Sequence, residues 1–342
     1  MSVDQRLGEA GRMPADTRGT SRLSGETVTI GVIFALTVAM ILGSRVISPA
    51  FGGWNQAETI LYLASFLVFC SFGQGLVILV RGLDLSIASV ITLGGVLTTT
   101  WLAGDNGDLV FILPAILVVC TLVGVASGIG VSLLKVPPFI MTMATGIIVY
   151  SLCLGVTRGT PRGYPAPVLN DVMRAELAGL PVPILVLAAF VAGGFLLQSY
   201  STYGRRLYAV GNNPAAAHVV GLPTVRVTIG AYAISALCAG FTGIMLASYA
   251  NGATLRMGDD YLLPSIAAVV VGGSSILGGK GNFLGTVGGA ILLTTLATIL
   301  SALGIEQGWK TIVEGGVILF ALMVLREQVY EALRTWMGSE RR

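Results

Sequence analysis

Ten apolar runs, separated by short polar or glycine-rich stretches, order the chain; they begin near Val28, Ala57, Leu85, Leu109, Phe139, Val182, Val227, Tyr261, Phe283 and Trp309. Each is about 17–25 residues long, the length with which a helix rising about 1.5 Å per residue crosses a bilayer core of about 30 Å. The third and eighth are rich in Gly and Ser. The pattern predicts an all-α polytopic membrane protein of about ten transmembrane helices. A polar tail covers residues 1–27, the membrane domain 28–326 and a second tail 327–342. In the first tail Arg6, Arg12, Arg18 and Arg22 alternate with Asp4, Glu9, Asp16 and Glu26. No apolar core follows an immediate basic start, so this segment reads as a tail rather than a cleaved signal. The longest connection, Val156 to Pro183, contains Pro161, Pro165, Pro167, Pro181 and Pro183, which argues against a regular span. An ordered external loop is expected there, with a short helix around Asp171–Leu177.

Composition agrees with the pattern. Hydrophobic residues make up 54% of the 342 and charged ones 11%, with a mean hydropathy of +0.84, against about 25% charged in soluble domains. The 46 glycines suit helices whose backbones approach closely in a membrane. A net charge of +3 implies no nucleic-acid partner; where the charges lie matters more. With the N-terminus inside, Arg6, Arg12, Arg18, Arg22, Arg81, Lys135, Arg205, Arg206, Arg226, Lys280, Arg326, Arg334, Arg341 and Arg342 are cytoplasmic. Arg45, Arg158, Arg162, Arg174, Arg256 and Lys310 fall outside. Fourteen against six, of the 20 Lys and Arg, satisfies the positive-inside rule and places both termini in the cytoplasm. Cys70, Cys120, Cys153 and Cys238 each sit in an apolar run without CxxC spacing, as small buried hydrophobes rather than metal ligands.

Three segments depart from plain lipid-facing helix. The stretch "GNNPAAAHVVGLP", Gly211 to Pro223, carries start and stop signals for a helix of about two turns. Asn213 can cap its N-terminus, Pro214 suits the first helical position, Gly221 can take the left-handed conformation that ends it, and Pro223 prevents resumption. At roughly 10 Å it is far too short to span. Ala215 and Ala216 give it small side chains, and it lacks the basic face of a membrane-surface helix, so it suits a groove on a protein partner. His218, the only histidine, is assigned a contact role at most.

The second segment is "GQGLVILVRGLDLSIAS", Gly73 to Ser89, in which Arg81 and Gly82 end one span while Asp84 and Ser86 open the next. Asp84 is placed to cap the helix beginning at Leu85, where the helix dipole favours its charge; direct contact with a solute or ion is the other reading of this residue. The third is "VVVGGSSILGGKGNFLGTVGGA", Val269 to Ala290. Its Gly279-Lys280 pair is not a phosphate-binding loop: GxxxxGK[ST] would require glycine where Ser274 stands and Ser or Thr where Gly281 stands. No nucleotide or other cofactor is expected in this chain. The glycines allow a tight reversal at the cytoplasmic face, with Lys280 at the interface.

Together these segments resemble the permease subunit of ribose/xylose/arabinose-type ABC sugar importers, over nearly the whole chain. The family patterns read approximately GxxxVI(L/I)xxGIDLSVGS, GGNxxAAxxSGI and AIAAVVxGGxSxxGGxGxxxGTxxGA, and their order and spacing are kept here. Asp84, Ser86, Gly272, Gly273, Gly278, Gly279 and Gly281 carry the first and third matches. The resemblance implies the ABC importer permease fold in a bacterial inner membrane. It also implies partners: ABC ATPase subunits, an extracytoplasmic solute-binding protein and a second permease, identical or related. The short helix would then be the coupling helix that docks on the ATPase, with Gly211, Asn213, Ala215, Ala216 and Gly221 matching the pattern. Pro214 replaces a usual acidic residue, His218 a common Arg or Lys, Val220 a common Ser, and Ala88 a glycine. Glu314 stands where several relatives carry Lys; Lys310, four residues earlier, shares its helix face and is placed for an ion pair.

A solute delivered by a binding protein needs only a weakly polar route. Gln74, Thr142, Thr145, Tyr150, Asn251 and Glu314 are the candidates, each of which could instead bond a neighbouring helix. An ion-coupled secondary transporter is the alternative, against which stands the lack of clustered membrane carboxylates and of paired broken helices. An intramembrane enzyme lacks a nucleophile–base pair and any HExxH motif.

Overall fold

A computed structural model describes residues 25–46 and 52–324. Both tails therefore lie outside the described residues, save that the first helix, α1 (Gly25–Gly43), begins three residues ahead of Val28. The chain continues through α2 (Trp54–Leu79), α3 (Ile87–Leu102), α4 (Leu109–Ser132) and α5 (Pro138–Thr157). The proline-rich connection holds α6 (Pro167–Arg174) and a two-stranded antiparallel hairpin, β1 (Glu176–Leu177) with β2 (Leu180–Pro181). Then come α7 (Val182–Phe195), whose last turn widens over Leu196–Tyr200, α8 (Thr202–Asn212) and α9 (Pro214–Val219). The last four are α10 (Thr224–Ala250), α11 (Asp259–Val271), α12 (Phe283–Ala302) and α13 (Gln307–Val324).

Seven helices among the described residues are long and apolar enough to cross a membrane: α1, α2, α4, α5, α7 with its widened turn, α10 and α12. The two Gly- and Ser-rich runs form shorter helices, α3 of 16 residues and α11 of 13. One sequence expectation is corrected. The external helix covers Pro167–Arg174 rather than Asp171–Leu177, because Pro167 fixes its first turn. The residues after Arg174 pair as a hairpin of two residues per strand, a local exception in the otherwise all-α fold of the described residues.

Burial sorts the helices into an inner set and an outer ring. The apolar window of α2 is 78% buried, whereas those of α1 and α4 are 17% buried. In lipid an outward apolar face needs no cover, so the outer helices are apolar all round and the inner ones are distinguished by small and polar residues. At the crossing of α3 and α10, for example, a methyl group on Gly94 would strike the backbone of Gly240. Several hydroxyls of the inner helices bond within their own helix: Thr242 and Ser248 donate to the carbonyls of Cys238 and Ile244 at 2.9 and 2.7 Å. Phe69, Phe72, Phe190, Phe241 and Phe283 fill the space between α2, α7, α10 and α12, with Phe69–Phe190 centroids 4.2 Å apart. The four cysteines are buried and unpaired, and no group of metal-ligating residues occurs among the described residues.

Candidate functional site

The short helix has the termini that its sequence specifies. Asn213 is extended (φ −154°) and its Oδ1 accepts from Ala216 N–H at 3.0 Å, with Pro214 following at the first helical position. At the other end Gly221 is left-handed (φ +80°). Its N–H donates to His218 O, while Leu222 N–H reaches back to Ala217 O at 3.0 Å. Ala217 is the buried side chain that seats the helix, and Pro214, Ala215, Ala216, His218, Val219 and Val220 are exposed. The result is a two-turn projection with a small-residue outer surface.

α8, which holds α9 to the bundle, was not among the expected elements. Its signal is local: Ser201 Oγ accepts from Gly204 N–H at 2.9 Å as an N-cap, and Leu207 and Val210 recur on the buried face. Tyr208 on this helix receives a hydrogen bond from Gln198 Nε2 (2.8 Å) and donates to Gly281 O (2.6 Å), joining α8 to the glycine-rich loop before α12.

All three polar segments of the sequence meet at this end of the bundle. Gly279 N–H donates to Leu79 O at the end of α2 (2.9 Å). Gly211 lies where a methyl group would collide with Leu79 O and Gly279 N, so the three backbones are in direct contact there. Gly273, Gly278 and Gly279 have φ near +88°, +82° and +74°, so the loop reverses tightly as expected. Gly272 packs its backbone on Gly285, Gly281 lies against Ser274, and Lys280 is exposed. Asp84 is 1% exposed. Its Oδ1 accepts from the N–H and hydroxyl of Ser86 (3.0 and 2.5 Å), and its Oδ2 from Ser235 of α10 (2.8 Å). The helix after it starts at Ile87 with Ser86 in the N-cap position, so Asp84, the expected cap, stands two residues before the cap and braces α3 against α10.

The route candidates scatter. Gln74 is fully buried in α2, and neither its Oε1 nor its Nε2 has a hydrogen-bond partner. Thr142 bonds the loop before α3, donating to Leu83 O (3.1 Å) and accepting from Leu85 N–H (3.0 Å). Thr145 accepts from Ser127 Oγ (3.1 Å), fastening α5 to α4. Tyr150 is half-buried on α5. Asn251 ends α10 in the left-handed region (φ +52°) and accepts from Asn170 Nδ2 of α6 at 2.7 Å, at the end of the bundle remote from α9. The side chain of Glu314, and with it the expected pair with Lys310, lies outside the described residues. At the remote end a cavity of about 350 Å³ opens between α2, α11, α12 and α13. Asp260, Thr294, Thr298, Ser301 and Lys310 bring polar groups to it. Sequence reasoning passed over this constellation except for Lys310; the signal was the hydroxyl spacing 294–298–301 on one face of α12.

Helices that run back and forth, an apolar ring around small-residue inner helices and a capped projection at one end define a polytopic membrane permease. The chain belongs to the branched-chain amino acid transport system/permease component family, whose model matches residues 56–322. It is similar to the ribose import permease protein of Haemophilus influenzae, 30% identical over 294 residues, 85% of this chain and 91% of that relative. The ribose import permease protein of Bacillus subtilis is 31% identical over 306 residues, covering 87% and 93% of the two chains. The galactose/methyl galactoside import permease protein of Salmonella typhimurium is 31% identical over 314 residues, covering 86% and 92%. No solved structure matches the chain significantly. The protein is thus a multi-pass inner-membrane permease subunit, a transport component rather than an enzyme.

Proposed function

We infer that this subunit forms the membrane path of an ATP-driven importer for a monosaccharide or related polyol delivered by an extracytoplasmic binding protein. Two permeases, identical or related, pair in the membrane and two ABC ATPase subunits drive them. In this reading the ten helices α1–α5, α7 and α10–α13 all cross, both termini are cytoplasmic, and α9 is the coupling helix. The observation that carries the reading is the exposed Pro214–Ala215–Ala216 surface of α9, too short to span and capped at both ends. The import of ribose and of galactose by relatives supports the solute class. Asp84, Ser86 and the glycines at 272, 273, 278, 279 and 281 build the frame behind α9. Among the described route candidates Gln74 is the one whose buried polar atoms the protein leaves unpaired.

The test is affinity purification of the tagged chain from its native membrane, with mass spectrometry of what accompanies it. A stoichiometric ATPase subunit, lost in Ala216→Trp while the bundle still folds, is the expected result. A related second permease in the same sample would make the pair a heterodimer. A chain that emerges alone under conditions preserving comparable complexes would refute the coupling reading and direct attention to ion-driven uptake.

A further inference from the structure

Arg81 sits at the end of α2 in an unusual place for an arginine. Its N–H donates to Ile78 O and that of Gly82 to Val77 O, both at 2.9 Å, with Arg81 itself left-handed (φ +66°). This is a helix-ending motif whose left-handed position favours glycine, since a side chain there meets the following carbonyl. The side chain turns to another part of the molecule. Its Nε donates to Gly211 O and its terminal nitrogen to Asn212 O, both at 2.6 Å and across 130 and 131 residues of sequence. These carbonyls close α8 and flank the corner into α9. Carbonyls at a helix end have no partner in their own helix, and a cation there also meets the negative end of the helix dipole.

The geometry points to Arg81 as a clamp that passes movement of α9 to the inner helices, a positioning role that rests on α9 being the coupling helix. A two-turn helix seated through Ala217 and joined to α8 at an extended Asn213 would bend at that corner when pushed. With both corner carbonyls held by one planar guanidinium, the corner moves with the end of α2. The bond from Gly279 N–H to Leu79 O, and the contact of Gly278 with Arg81, carry the same displacement into the loop leading to α12. α2 also holds Gln74, five residues before Leu79, so the clamp ends close to the unpaired amide in the bundle interior. The pattern of the first segment specifies no residue at position 81, so the role rests on the geometry of this chain. It accompanies an α9 that is itself altered at Pro214 and His218.

Hydrogen–deuterium exchange of the purified permease–ATPase complex in nanodiscs, with and without ATP and vanadate, tests the clamp. In the wild-type complex, trapping should change exchange in α9 and also across residues 76–83 and 276–284. In Arg81→Gln the change in α9 should persist while the changes across 76–83 and 276–284 are lost, with ATP hydrolysis continuing. Arg81→Lys, which keeps a cation but not the fork, should fall between. Equal responses in wild type and Arg81→Gln would overturn the clamp. So would loss of the ATPase and of heat stability together in the variant, which marks a purely structural residue. If α9 fails to respond in the wild type, the coupling-helix reading itself falls and the clamp with it.

Discussion

A carboxyl group that accepts three hydrogen bonds at 1% exposure, as Asp84 does, stabilises the protein through the donors it satisfies more than through its own charge. Asp84→Ala would leave Ser86 N–H and the hydroxyls of Ser86 and Ser235 to find new partners in a dry site. Each orphaned group costs about 1–3 kcal/mol, so thermal unfolding in detergent should shift clearly downward. Asp84→Asn retains an acceptor and should lose less. Gln74 presents the reverse case. Its amide has no hydrogen-bond partner in this structure, so Gln74→Leu should leave the unfolding temperature unchanged or higher while uptake falls. A matching loss of stability would assign Gln74 to the fold and remove it from the route. The importance of Asp84 was legible in its position before an apolar run, but its second partner was not. Ser235 lies 151 residues away, and no local pattern announces such a pair.

Among elements, α9 was legible because everything that makes it a helix lies within it. Asn213, Pro214 and Gly221 fix its ends by bonds spanning at most five residues. The same locality makes it separable from the bundle. Asn213→Ala removes the bond to Ala216 N–H, worth about 1 kcal/mol of helix stability. Exchange should therefore quicken in residues 214–220 and the yield of co-purified ATPase should fall, while the unfolding temperature of the membrane domain stays in place. A drop in that temperature would mean that α9 folds as part of the core. α8 is equally local, with its Ser201 cap and buried Leu207 and Val210, but at 11 residues with Arg205 and Arg206 it forms no apolar run of membrane length. The junction itself is a different matter. It joins Leu79, Gly211 and Gly279, and a sequence read along its length supplies three glycine-marked segments without saying that they touch.

For the molecule as a whole, apolar run length located the seven helices long and apolar enough to cross, because the bilayer fixes that length independently of packing. It says less about α3 and α11, whose small residues are there for the close approach of inner helices. Orientation is the property that depends most on residues remote from the bundle. Within the described residues the basic side chains divide evenly: Arg81, Lys135, Arg205, Arg206, Arg226 and Lys280 at the α9 end, Arg45, Arg158, Arg162, Arg174, Arg256 and Lys310 at the other. An inward bias under the positive-inside rule would therefore rest on Arg326 and the arginines of the two tails, which lie within about 20 residues of the first and last helices in sequence. A direct measurement is available because all four native cysteines are buried and give little background. Val219 on α9 is 85% exposed and Leu177 on the hairpin 64% exposed, at opposite ends of the bundle. With α9 in the cytoplasm, a membrane-impermeant maleimide applied to intact cells with a permeable outer membrane should label Leu177→Cys at once and Val219→Cys only after the inner membrane is opened. The reverse order would turn the molecule over, place α9 away from any ATPase and end the importer reading, whatever the resemblance of its sequence.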